Sequence, residues 1–193
     1  MILGTFQEVE HLDPSGGGLA NNDNARIGLY SKLWEWAYDG SGVPEGQLVQ
    51  SWEFTPDGRT LTFTIPDNVF FHDGRKMTAD DVKYTFDRAY NPETQAPWIT
   101  YAPEIESTDV VDDTTVRFNL TAPNGALLSG LTFTYIMDEK LMESGDFQKN
   151  GNGTGPFKFV EFVVHDRVVM DRHENYWEEG TDGKNLPYID GVT

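Results

Sequence analysis

The chain has 193 residues, with 14 basic against 32 acidic side chains and a formal net charge of −18 that no basic cluster offsets. Such a surface repels nucleic acid and anionic membranes, so neither is expected as a partner. Without cysteine there is no disulfide framework and no thiolate metal site, and no run of about 18 apolar residues offers a membrane-spanning helix.

Residues 2–7 read as a strand. The opening MILGTFQEVEHLDP lacks the charged and apolar regions of a signal peptide, so the expectation is a cytosolic protein or an export signal outside these residues. A polar loop, Asp13–Asn24, precedes a helix whose buried stripe is Ile27, Tyr30 and Trp34. Gly40 to Gly46 reads as a loop. Trp52 and Phe54 then alternate on one strand, with Leu61, Phe63 and Ile65 on the next. Pro56-Asp57-Gly58 turns between them, which makes a hairpin and puts Trp52 and Phe54 in the core.

Phe70–Gly74 is a short extended piece and turn. Thr78 caps the next helix, Asp81 takes the capping-box position, and Met77 and Val82 form a hydrophobic staple. Val82, Phe86, Ala89 and Tyr90 make its apolar face, and Asn91-Pro92 stops it. A shorter helix is expected over Trp98–Ile105. Thr108–Val111 and Thr115–Leu120 read as strands across an Asp112-Asp113 turn. Ala126–Leu131 and Asp138–Ser144 read as short helices flanking an extended Thr132–Ile136. The glycine- and asparagine-rich Gly145–Gly155 marks a domain border.

Gly153-Thr-Gly-Pro156 is a rigid turn in which both glycines are expected to take backbone angles closed to other residues. Phe157, Phe159, Glu161 and Val163 share one face of the strand that follows. His165-Asp166 leads to a second strand, Arg167–Met170, and another strand begins near Tyr188–Thr193. The result is a mixed α/β chain with several antiparallel hairpins and no regular βαβ alternation.

Four blocks in order then resemble the family 5 solute-binding proteins, the peptide and nickel receptors of ABC importers. They are Leu12-Asp13-Pro14, QLVQSWEFTPDGRTLTFT (47–64), IPDNVFFHDGRKMTADDVKYTF (65–86) and the stretch Gly153–Trp177. Pro66, Asn68 and the loop Trp34–Gly46 depart from the family wording. The resemblance implies a partial periplasmic-binding-protein type II fold, with residues 1–33 and 150–193 in the first lobe and 34–149 as an inserted subdomain. The second lobe would lie outside these residues. It also implies a receptor, monomeric and extracytoplasmic (periplasmic or cell-surface, with lipid anchoring open), that hands solute to ABC permease subunits. The ligand class is an oligopeptide or dipeptide, with an oligosaccharide or a nickel complex as further options.

Ligand contact is expected at the loop after LDP, Leu19, Ala20, Asn21 and Asn22, whose amides both donate and accept. The competing reading is a surface turn closed by an Asx cap. Trp98, Tyr101, Phe133 and Tyr135 are expected to form an aromatic wall, against a plain packing role for each. Strand alternation turns Thr134 away from that wall. Tyr176-Trp177 reads as packing.

His11, His72, His165 and His173 are scattered and show no H-x-x-x-H pair, so no metal site or cofactor is expected; His72 falls in the family's structural FHDG turn. There is no G-x-S-x-G, H-E-x-x-H or P-loop, and no catalytic residue is assigned. The alternative class is a carbohydrate-binding protein or a glycoside hydrolase with a carboxylate pair across an aromatic cleft.

Overall fold

A computed structural model describes residues 1, 9–15, 20–94 and 100–193. The expected strand over 2–7 lies outside them. The chain divides into two compact units, Met1–Ser31 with Asn68–Met77 and Met137–Thr193, and Lys32–Asp67 with Thr78–Ile136. The resemblance placed 68–77 and 137–149 in the insertion. Here their backbone is tied to the first unit, since Leu12 N–H donates to the Gln148 carbonyl and His72 N–H to the Gly153 carbonyl, both at 2.9 Å.

The second unit is built on an antiparallel sheet of β3 (Ser51–Phe54), β4 (Thr60–Thr64), β6 (Thr115–Leu120) and β5 (Ile105–Asp112), in that spatial order. Alternation in β4 and β6 sends Leu61, Phe63, Val116 and Phe118 inward, and the register sets Leu61 opposite Phe118 and Phe63 opposite Val116. Helix α2 (Ala79–Tyr90) closes that face with Val82, Phe86 and Ala89. Its start is as expected: the Asp81 carboxylate accepts from the Thr78 N–H at 2.9 Å, satisfying a backbone donor that the helix leaves open. An aromatic column runs through this core, with Trp34 to Phe63 at 5.2 Å, Phe63 to Phe118 at 5.0 Å and Phe118 to Phe86 at 4.6 Å between ring centroids.

Several expectations change here. Trp34 does not lie on a helix; it belongs to β1 (Trp34–Trp36), which pairs with β2 (Pro44–Gly46) inside the expected loop. Trp52 is 42% exposed, because β3 is an edge strand with only one neighbour in the sheet. The described part of the expected 98–105 helix is a turn leading into β5. The extended stretch after α3 (Leu127–Leu131) shrinks to a turn and one bridge, Tyr135 to Lys32.

In the first unit, α1 (Ala20–Leu29) starts inside the expected loop. It buries Asn22, Ala25, Arg26 and Leu29, while Ile27 is 53% exposed. Asp138 caps α4 (Glu139–Ser144), accepting from the Leu141 N–H at 3.2 Å. Strands β7 (Phe157–Val163), β8 (Arg167–Arg172) and β9 (Gly191–Val192) form the three-stranded sheet of this unit. A register shift between Phe159 and Glu161 breaks the simple alternation of β7 and leaves Val160 half exposed.

Candidate functional site

The Gly153–Pro156 segment packs against the C-terminal end of α1. Gly155 N–H donates to the Leu29 carbonyl at 3.1 Å, meeting one of the acceptors that every helix end leaves open. Neither glycine has a positive φ, contrary to expectation; what they supply is space. A Cβ on Gly153 would lie 2.0 Å from the Leu29 oxygen, and one on Gly155 would lie 2.6 Å from the Leu29 carbonyl carbon.

Two histidines converge on this segment from distant parts of the sequence. His72 Nε2 and His173 Nδ1 stand 3.0 and 3.2 Å from the Gly155 carbonyl, and the rings meet edge to face at 5.0 Å. A carbonyl only accepts, so both nitrogens carry hydrogen. The Gly153 N–H donates to His72 Nδ1 at 3.3 Å, so His72 is a neutral tautomer with both nitrogens used. Burial, the main cause, pushes the His72 pKa down to about 4 and lowers that of His173. The spacing of the four histidines gave no hint of this pair; the FHDG turn and the GTGP segment, taken together, were the available signal.

The histidines form one wall of a cavity of about 570 Å³ within this unit, with Phe70, Tyr176, Trp177, Lys158 and Glu179 among its other walls. Tyr176 is buried as expected, but both it and Trp177 also face this space. Beside it, the buried Asp138 carboxylate accepts from Arg75 at 2.8 Å and from the Asn152 amide at 2.7 Å, which pins the FHDG turn to the segment before Gly153. Among the described residues no group of three or more ligating side chains suited to a metal ion occurs.

Of the residues expected to contact ligand, Leu19 and Trp98 lie outside the described residues. Ala20 and Asn21 open α1. Asn22 is 1% exposed; its Oδ1 accepts from the Glu10 N–H at 3.0 Å and its Nδ2 stands 3.3 Å from His11 Nε2, so it holds the preceding segment. In the second unit, Tyr101 and Phe133 come together, with stacked rings 4.4 Å apart and both substantially exposed. Gly130 admits this approach, since its α-carbon lies against the Tyr101 backbone carbonyl where a Cβ would collide. Tyr135 does not join them; it is buried under Lys32, whose Nζ sits 4.6 Å from its ring centre. Thr134 is buried too, because the chain turns there instead of running as a strand.

The family model for bacterial extracellular solute-binding proteins, family 5, matches residues 43–193. The chain belongs to that family. The glutathione-binding protein of Pectobacterium atrosepticum is 32% identical over 150 residues, covering 76% of this chain and 28% of the relative. The dipeptide-binding protein of Escherichia coli is 32% identical over 181 residues, covering 80% of this chain and 34% of the relative. The oligopeptide-binding protein of Bacillus subtilis, solved with a nonapeptide, superposes with a TM-score of 0.87 at 22% identity, over 100% of this chain and 38% of its own. The fold is therefore part of the periplasmic-binding-protein type II architecture, and the chain spans about a third of the length of the curated relatives it matches.

Proposed function

We propose that the chain is part of the substrate-binding component of an ABC importer. It captures peptides outside the cytoplasm and delivers them to the permease, with no chemistry of its own. Membership of family 5 carries this reading, because curated relatives matched over most of the chain include proteins named for glutathione and for dipeptide binding. In this reading the first unit is part of the first lobe, the second unit is the inserted subdomain, and ligand is held on hinge closure against a lobe outside these residues. Leu19, Ala20 and Asn21 offer backbone and amide contacts to the ligand. Trp98 and the exposed Tyr101–Phe133 stack receive an apolar peptide side chain, with Tyr135 bracing the turn that carries Phe133.

Calorimetric titration of the full-length protein with a tripeptide bearing a central aromatic residue tests this. The wild type binds, and Tyr101→Ala together with Phe133→Ala weakens binding about tenfold or more, with an unchanged melting temperature. Equal affinity in the folded double variant removes the stack from the site.

A further inference from the structure

The cavity beside the two histidines has chemistry that the proposed capture of peptides does not use. Its wall carries one side chain of each sign, Lys158 and Glu179. Neither makes a hydrogen bond or ion pair among the described residues. Asp171 faces Lys158 across the β7–β8 ladder, yet its carboxylate lies against Gly191 and no ion pair forms. An unpaired lysine is notable in a chain of net charge −18.

His173 is 2% exposed and spends its Nδ1–H on the Gly155 carbonyl. In the neutral ring Nε2 is then an acceptor, and no donor among the described residues reaches it. Phe70, 38% exposed, and Trp177 supply apolar surface in the same cavity. The Trp177 Nε1 is buried without a partner among the described residues.

We propose that this cavity, contained within the first unit, binds a free α-amino acid with an aromatic or large apolar side chain. Lys158 receives the carboxylate, Glu179 and His173 Nε2 receive the ammonium, and the side chain lies against Phe70 and Trp177. A zwitterion matches the balance of one cation and one carboxylate. A simple anion would leave Glu179 facing like charge, and a simple cation would leave Lys158 doing so. At about 570 Å³ the cavity has the size of a small-molecule site.

The test is an NMR titration of the protein with L-phenylalanine, N-acetyl-L-phenylalanine and L-phenylalaninamide. Saturable shifts are expected at the amides of Lys158 and His173 and at the Trp177 indole with phenylalanine. Each blocked compound is expected to bind about tenfold or more weakly. Lys158→Gln loses phenylalanine to a similar degree, and Glu179→Gln, a change at an exposed position, weakens phenylalanine but not the N-acetyl derivative. No shift, equal shifts from all three compounds, or unaltered binding in both variants overturns the proposal. Peptide titration of Lys158→Gln separates the two sites: retained peptide affinity with lost phenylalanine shifts supports a separate cavity, and joint loss overturns it. If the wild type takes no peptide but shows the phenylalanine shifts, the importer reading falls and the cavity stands.

Discussion

The two units solve the problem of cohesion in different ways. The second relies on apolar interdigitation, a sheet face and a helix closing on the column Trp34–Phe63–Phe118–Phe86. The first is held where backbone meets backbone: glycines without room for a Cβ, two histidines on one carbonyl, and a buried carboxylate joining Arg75, Asn152 and the start of α4. An apolar core gives way by degrees when a side chain shrinks, whereas a close backbone approach has no smaller alternative. The first unit should therefore respond steeply to small changes, and the second in proportion to the volume removed.

The largest expected effect is Gly153→Ala. One methyl group placed 2.0 Å from the Leu29 oxygen forces backbone to move, and the cost should exceed about 4 kcal/mol. Denaturant unfolding measures it, and a cost below that of Phe118→Leu would break the contrast between the units. Phe118→Ala comes next, at about 3–5 kcal/mol, with Phe118→Leu near 1 kcal/mol, a graded series that the same measurement reads.

The third effect is pH dependence from His72. Its folded pKa of about 4 lies below the value near 6.5 expected in the unfolded chain, so between those values the unfolded chain binds the extra proton. The stability from the neutral ring is complete above about pH 6.5 and is lost as pH falls toward 4, at up to about 1.4 kcal/mol per pH unit. His173 shifts in the same direction. Melting followed across that range should show the slope, and His72→Asn should flatten it. An identical slope in the variant would remove His72 from the account. The smallest effect is Asp81→Ala, about 1 kcal/mol from the lost capping contact, read as a small drop in denaturant midpoint.

The same division explains what was legible in the sequence. Period and turn chemistry are local, so the β3–β4 hairpin, the cap of α2, the short helices α3 and α4 and the β7–β8 ribbon could be read from neighbouring residues. Burial of a particular face is set by what lies across from it. Trp52 alternates correctly with Phe54, but an edge strand left it half exposed. Ile27 sat at helical spacing from Tyr30, yet α1 buries the face bearing Asn22, Ala25, Arg26 and Leu29.

The site divides likewise. Tyr101 and Phe133 were expected together, but that they stack without Tyr135 depends on Gly130 admitting the Tyr101 carbonyl, a distant approach that no local pattern records. His72 and His173 were visible only as scattered residues because their meeting point is a backbone carbonyl. The GTGP segment was recognisable by its wording, but its glycines were read for torsional freedom when their role is clearance beside α1.

The central claim, solute capture of the peptide class, is tested most directly by calorimetric titration of the full-length protein with di- to pentapeptides and, in parallel, cello-oligosaccharides. The account predicts saturable binding of at least one peptide length and none of the sugars. A folded protein that binds no peptide, or that binds the cello-oligosaccharides instead, would contradict it.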